Sequence, residues 1–129
     1  MESVLRMKSQ IIREYFKSWI AQSDEVIKKN FDKDAVYSEC YGPIYRNRRE
    51  ILAWFNDWNK KGKVLNWDIK RIITIENLAV VEWYFKCCYK NKDSEFNGVS
   101  LIEFNNLNKI ISVKEFESDC KHYYPYDFH

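Results

Sequence analysis

The sequence predicts an α+β domain in which three helices cover one face of a curved antiparallel sheet. Two observations carry this. Three segments in the first half place apolar residues at helical spacing, and a run of segments after them alternates apolar and polar residues as strands do. The clearest strand is Asn77–Tyr89, in which Ala79, Val81, Trp83, Phe85 and Cys87 share one face while Glu82 and Lys86 lie on the other. It is expected at the centre of the sheet, its apolar face against the helices.

The chain has 129 residues, 46% hydrophobic and 17% aromatic, with 3 Gly and 2 Pro. That is enough for one fully folded domain over 1–129 without disulfides or metal, and it excludes a low-complexity chain. Lys and Arg number 21 against 19 Asp and Glu, a net charge of +2, and the signs are interspersed. A nucleic-acid footprint is therefore not expected. The densest basic run, Arg46-Asn-Arg-Arg49, reads as a solvated helix start or as a phosphate site. No apolar run is long enough for a signal sequence or membrane span, so a cytoplasmic protein with no membrane partner is expected. The cysteines at 40, 87, 88 and 120 lack metal-ligand spacing. They read as reduced thiols, Cys87 in the core and Cys88 outside, and nothing calls for a metal or cofactor.

Val4–Ile20 gives the first helix, with Val4, Leu5, Ile11, Ile12, Tyr15, Phe16, Trp19 and Ile20 on one stripe. Ser23 is an expected cap before Asp24 and Glu25 for a short second helix ending near Asn30, after which Phe31 plugs the core. Ala35–Tyr41 reads as a short strand with Ala35, Tyr37 and Glu39 on one face, ended by Gly42-Pro43. Asn47 caps a third helix, Arg48–Lys61, whose Ile51, Trp54, Phe55 and Trp58 face the core or a ligand, and Gly62 stops it.

In Val64–Ile75 the odd positions are apolar except Arg71, so either a bulge turns Arg71 out or it meets a buried acid. Glu76-Asn77 makes a tight hairpin, Lys90–Ser94 a polar loop, and Asn105–Asn108 the turn after a strand over Phe96–Phe104. The last strand, Ile110–Asp119, puts Ile111, Val113, Glu115 and Glu117 on one face; its apolar start points that face inward and carries Glu115 inside. The aromatic tail Lys121–His129 is expected to fold over an opening or onto a partner.

The helix and strand order, with Tyr37-Ser-Glu-Cys-Tyr-Gly-Pro43, Tyr45-Arg46, Trp54-Phe-Asn-Asp-Trp58, Val81-Glu-Trp83 and Ile111-Ser-Val-Lys-Glu-Phe-Glu-Ser118, resembles the SnoaL-like branch of the NTF2-like superfamily. The likeness covers nearly the whole chain through packing positions, and Asn106-Leu-Asn-Lys109 replaces the family's Asp-Gly-Lys turn. It implies a cone of curved sheet wrapped on three helices, a cavity at the open end, and a dimer through the sheet. Family members include polyketide cyclases, ketosteroid isomerases, dehydratases, epoxide hydrolases and proteins without a known reaction. The epoxide hydrolases' Asp-Arg-Asp set has at most a Glu-containing echo here in Arg71 with Glu115, and no catalytic residue transfers.

The residues themselves name the candidates. Glu115, Glu39, Arg71 and His122 are the polar groups expected near an aromatic cavity, where a desolvated carboxylate gains a pKa suited to acid–base work. Glu115 leads, with an ion pair to Arg71 or a hydrogen bond from Tyr37 as its structural roles; His122 is a proton shuttle or a surface residue. Tyr37, Tyr41, Trp54, Trp58, Trp67, Trp83, Phe85 and Tyr123 are the expected ligand contacts. Two functions follow. One is cofactor-independent proton transfer on a small hydrophobic carbonyl compound, of isomerase, cyclase or dehydratase type; the other is noncatalytic binding of an apolar ligand. Val80, Tyr84 and Ile72 on the outer face predict a homodimer.

Overall fold

The computed structural model describes residues 2–128, with side chains from Arg6 onward. The expected burial of Val4 and Leu5 lies outside the described residues. The elements run α1 (Glu2–Ala21), α2 (Glu25–Asn30), β1 (Phe31–Ser38), β2 (Ile44–Tyr45), α3 (Arg48–Lys61), β3 (Gly62–Ile75), β4 (Leu78–Tyr89), β5 (Lys92–Phe104) and β6 (Ile110–Ser118). They form helices packed on one curved, open sheet of strand order β2-β1-β6-β5-β4-β3.

The core forms where the helix stripes meet the inner sheet face. Ile12, Tyr15, Phe16 and Trp19 of α1 and Ile51 and Phe55 of α3 are buried with Ala35 and Tyr37 of β1, Val81 and Trp83 of β4 and Ile102 and Phe104 of β5. The third helix begins as its sequence dictates: the Asn47 side chain accepts from the Glu50 amide at 2.9 Å. The second begins one residue later than expected. Asp24 holds the cap position without a side-chain cap bond and pairs instead with Lys28, 3.3 Å away.

Several sequence expectations need correction. The Asn77–Tyr89 strand lies one place in from the β3 edge, not at the centre; β5 and β6 occupy the middle. Strand β1 starts at Phe31 and runs parallel to β6, so the sheet is mixed, with the other pairings antiparallel. The expected Lys90–Ser94 loop is a two-residue turn. Lys90 and Asn91 both adopt positive φ, 51° and 65°, the twist that a tight hairpin needs, and β5 pairs from Lys92 onward.

The strict alternation expected in β3 fails because the strand is bulged between Val64 and Asn66 and again between Ile69 and Arg71. Each extra residue reverses which parity faces the core. Val64, Trp67, Ile69 and Ile72 face it, while Arg71 turns out, two-thirds exposed, with its Nε 3.4 Å from Glu82 Oε1. The Arg71–Glu115 pair therefore does not form. Ile72 likewise leaves the outer face, where Ile73 takes its place at 43% exposure beside Val80 and Leu101. Among the described residues no helix is long and apolar enough to cross a membrane.

Candidate functional site

Strand β6 supplies the central group. Val113 is buried, and Glu115, two residues on, follows it to the inner face. Pairing sets Val113 beside Tyr37 of β1 and Glu115 opposite Ser100 of β5. Register thus delivers two hydroxyls to one carboxylate. Tyr37 OH donates to Glu115 Oε2 at 2.7 Å, and Ser100 Oγ donates to the same oxygen over a longer, weaker 3.4 Å.

Each hydroxyl is backed by an indole, whose N–H can only donate. Trp19 Nε1 donates to Tyr15 OH at 3.0 Å, and Tyr15 OH donates to Tyr37 OH at 2.8 Å. Tyr37 in turn has Glu115 as its remaining acceptor. On the other side Trp83 Nε1 donates to Ser100 Oγ at 2.9 Å, leaving the serine proton for Glu115. Gly98 makes this second chain possible: a Cβ there would stand 2.3 Å from Trp83 Cη2. Two indole-anchored chains therefore converge on Oε2. With both hydroxyls donating to Oε2, Oε1 is the carboxyl oxygen left open for a proton.

Burial drives the electrostatics. It pushes the Glu115 carboxyl up from 4.5 to about 8; the Tyr37 and Ser100 hydrogen bonds pull it back, and the charge of Glu39 pushes it further up. The same desolvation, with the Glu115 charge beside them, raises the Tyr37 and Tyr15 phenols well above their usual range, so both stay protonated donors. Glu39 is raised by burial and lowered by hydrogen bonds from Tyr45 and Trp54. A turn holds it in place: the Glu39 amide donates to Pro43 O at 3.0 Å and its carbonyl accepts from Gly42, whose φ of 112° suits glycine.

Glu115 and Glu39 share a cavity of about 800 Å³. Tyr37, Tyr41, Trp54, Trp58, Trp67, Trp83 and Phe85, seven of the residues named from sequence, line it. The rings touch one another around the space without filling it: Trp54 stacks on Tyr45 at 4.6 Å, and Trp58 lies 5.2 Å from Tyr89. Three expected site residues are elsewhere. Arg71 is on the outer face with Glu82, while His122 and Tyr123 belong to an exposed tail that does not line the cavity. Cys87 is buried and lines the wall, and Cys88 lies on the opposite face. No three His, Cys, Asp or Glu side chains among the described residues stand together as a metal site.

Sequence reasoning missed Tyr15, Trp19, Ser100 and Tyr45. Three of these left a signal. Tyr15 and Trp19 lie one helical turn apart on the apolar stripe of α1, and Ser100 is the lone hydroxyl in the inward row Phe96, Gly98, Ser100, Ile102 and Phe104. Tyr45 belongs to a two-residue strand with no readable alternation.

Because the folded pKa of Glu115 exceeds its unfolded value, the native state keeps a proton that the unfolded chain releases. Its stabilising contribution is present below about 4.5 and is lost as pH rises through about 8. Glu115→Gln mimics the protonated form, accepting through its carbonyl and facing the cavity with its amide. Urea unfolding across this pH range is expected to show a flatter profile for the variant and a gain over the parent above pH 8. Parallel profiles for the two proteins would contradict the assignment.

The comparisons with known proteins agree with this architecture. A SnoaL-like domain profile matches residues 12–113. No curated protein sequence matches the chain. Among solved structures, a hypothetical protein with a ketosteroid isomerase-like fold from Catenulispora acidiphila, in complex with trimethylamine, superposes with a TM-score of 0.74 at 14% identity, covering 85% of each chain. An LEH-like epoxide hydrolase of M. tuberculosis gives 0.76 at 11% identity over 84% of this chain and 80% of its own. An NTF2-like protein of unknown function from Burkholderia pseudomallei gives 0.72 at 12%, over 86% and 90%. At these identities the structures share the fold, and with a family profile spanning most of its length the chain belongs to the SnoaL-like domain family.

Proposed function

We propose that this protein binds a small, largely apolar molecule in the aromatic cavity, and that Glu115 moves a proton on it without a cofactor. The substrate class is a carbonyl compound, and the reaction is of the isomerase, cyclase or dehydratase kind. One observation carries the reading: both anchored chains end on Glu115 Oε2, which leaves Oε1 as the oxygen that gives or takes the proton at the cavity. Near neutral pH the carboxyl is protonated and donates its proton from Oε1 to the substrate's carbonyl oxygen. The carboxylate so formed, held by the Tyr37 and Ser100 hydroxyls, then takes the proton from the carbon beside the carbonyl, which leaves the enol and restores the acid. Tyr37 is occupied by this role, so the donor to substrate is Glu115 itself. A protein of the same fold is described with trimethylamine bound, which supports a small-molecule role for the scaffold.

Binding is measurable by quenching of the tryptophans that line the cavity, and turnover by a screen of small cyclic ketones. Glu115→Gln is expected to keep its fold and ligand affinity and to lose about two to four orders of magnitude in rate. Undiminished turnover in this variant would remove Glu115 from the mechanism, and binding with no turnover of any carbonyl compound would leave a noncatalytic binding module.

We also infer a cytoplasmic homodimer joined through the outer sheet face. Support comes from the paired row Ile73, Val80 and Leu101, from Val99 beside Phe116, and from exposures of 43% at Ile73 and 56% at Phe116. The four cysteines are free thiols, which fits a reducing compartment. Light scattering is expected to report twice the chain mass, and Ile73→Glu with Phe116→Glu to give monomers. A monomeric parent at high micromolar concentration would reject the interface.

A further inference from the structure

The charges around the cavity are unequal in kind. Glu39, Glu50, Asp57 and Glu115 line it, against Lys61 and Lys92. Glu50 is already committed, with Arg46 Nη2 2.9 Å from its carboxylate. Asp57 and both lysines are exposed, in water's reach. Glu39 and Glu115 are different. Both are shielded, and neither forms an ion pair with a described residue.

Their partners are all neutral. Tyr45 OH donates to Glu39 Oε2 at 3.2 Å and the Trp54 indole also donates to this carboxylate, while Tyr37 and Ser100 serve Glu115. Tyr37, Tyr45 and Ser100 thus spend their hydroxyls on the protein's own acids. Apart from a proton on Glu115 and the unpartnered indole N–H of Trp67, the buried part of the wall offers a ligand carboxylate acceptors and aromatic faces. A desolvated carboxylate without a counter-charge is costly, and a cation beside it and above aromatic rings restores both the charge balance and a favourable quadrupole contact.

We propose that the molecule bound in this cavity carries a cationic nitrogen, an alkylated ammonium group seated against Glu39 and the rings of Tyr45 and Trp54. This rests on the reading of the cavity as a ligand site and names the class of ligand. It also divides the two acids: Glu39 supplies the counter-charge, and Glu115 the proton. The Tyr45–Trp54 stack, with its planes 14° apart, presents ring surface beside the Glu39 carboxylate that both residues hold.

The test compares choline with dimethylbutanol, its uncharged carbon isostere, by tryptophan fluorescence and calorimetry on the full chain. Choline is expected to bind at least about tenfold more tightly, and Glu39→Gln to remove that preference while leaving isostere affinity unchanged. Equal affinity for the two probes in the parent protein overturns the inference and leaves the cavity intact as a neutral ligand site. A preference that survives Glu39→Gln overturns the role of Glu39. Binding of neither probe overturns the inference together with the reading of the cavity as a site for molecules of this size. The comparison in the parent protein decides even if the variant fails to fold.

Discussion

The structure turns on a carboxylate carried to the inner sheet face, where it is largely withdrawn from water. Glu115 follows Val113 along a strand whose alternation leaves it no outward choice, so the fold must supply its hydrogen bonds. It supplies them through two chains that begin at indoles, Trp19 and Trp83, and end on the same oxygen. Because an indole donates and never accepts, each chain starts from a fixed donor. The network has no cation among its members.

That choice separates this site from the ion-paired alternative. Had Arg71 faced inward, a buried guanidinium would have held Glu115 ionised and its pKa low. The β3 bulge sends Arg71 to the surface instead, where it meets Glu82 half in water and contributes little. Glu115 is left with neutral donors that moderate but do not cancel desolvation, and its carboxyl comes to rest near 8. A group poised there exchanges protons readily at neutral pH, which an ion-paired carboxylate does not.

How far the sequence disclosed this depends on which physical signal each feature leaves. Helix α3 was readable because its cap, its apolar spacing and its stop glycine agree. The inward aromatic face of β4 and the inward Glu115 were readable because alternation holds through β4 and from Val113 to Glu115, although at the start of β6 a bulge buries Ile110 in place of Ile111. In β3 it does not, since bulges leave no reliable mark in one sequence, and the errors at Arg71 and Ile72 share that origin. The parallel pairing of β1 with β6 joins residues some 75 positions apart, such as Val36 with Ser112, which local pattern cannot reveal. The indole-to-hydroxyl chains are tertiary in the same sense: Tyr15 and Tyr37 are 22 residues apart and Tyr37 and Glu115 are 78 apart. Sequence could nominate their members but not join them. His122 and Tyr123 enter the expected site because the aromatic tail reads as folding over an opening, and in the structure that tail is exposed and lies away from the cavity.

The most direct test is the ionisation of Glu115 itself. In protein carrying carbon-13 in its glutamate side-chain carboxyls, the resonance absent from Glu115→Gln identifies the group, and its titration can be followed by NMR. The predicted midpoint lies near 8, and Tyr37→Phe moves it higher by removing a hydrogen bond that favours the carboxylate. A midpoint close to 4.5, unmoved by Tyr37→Phe, would show a solvated acid and contradict the account.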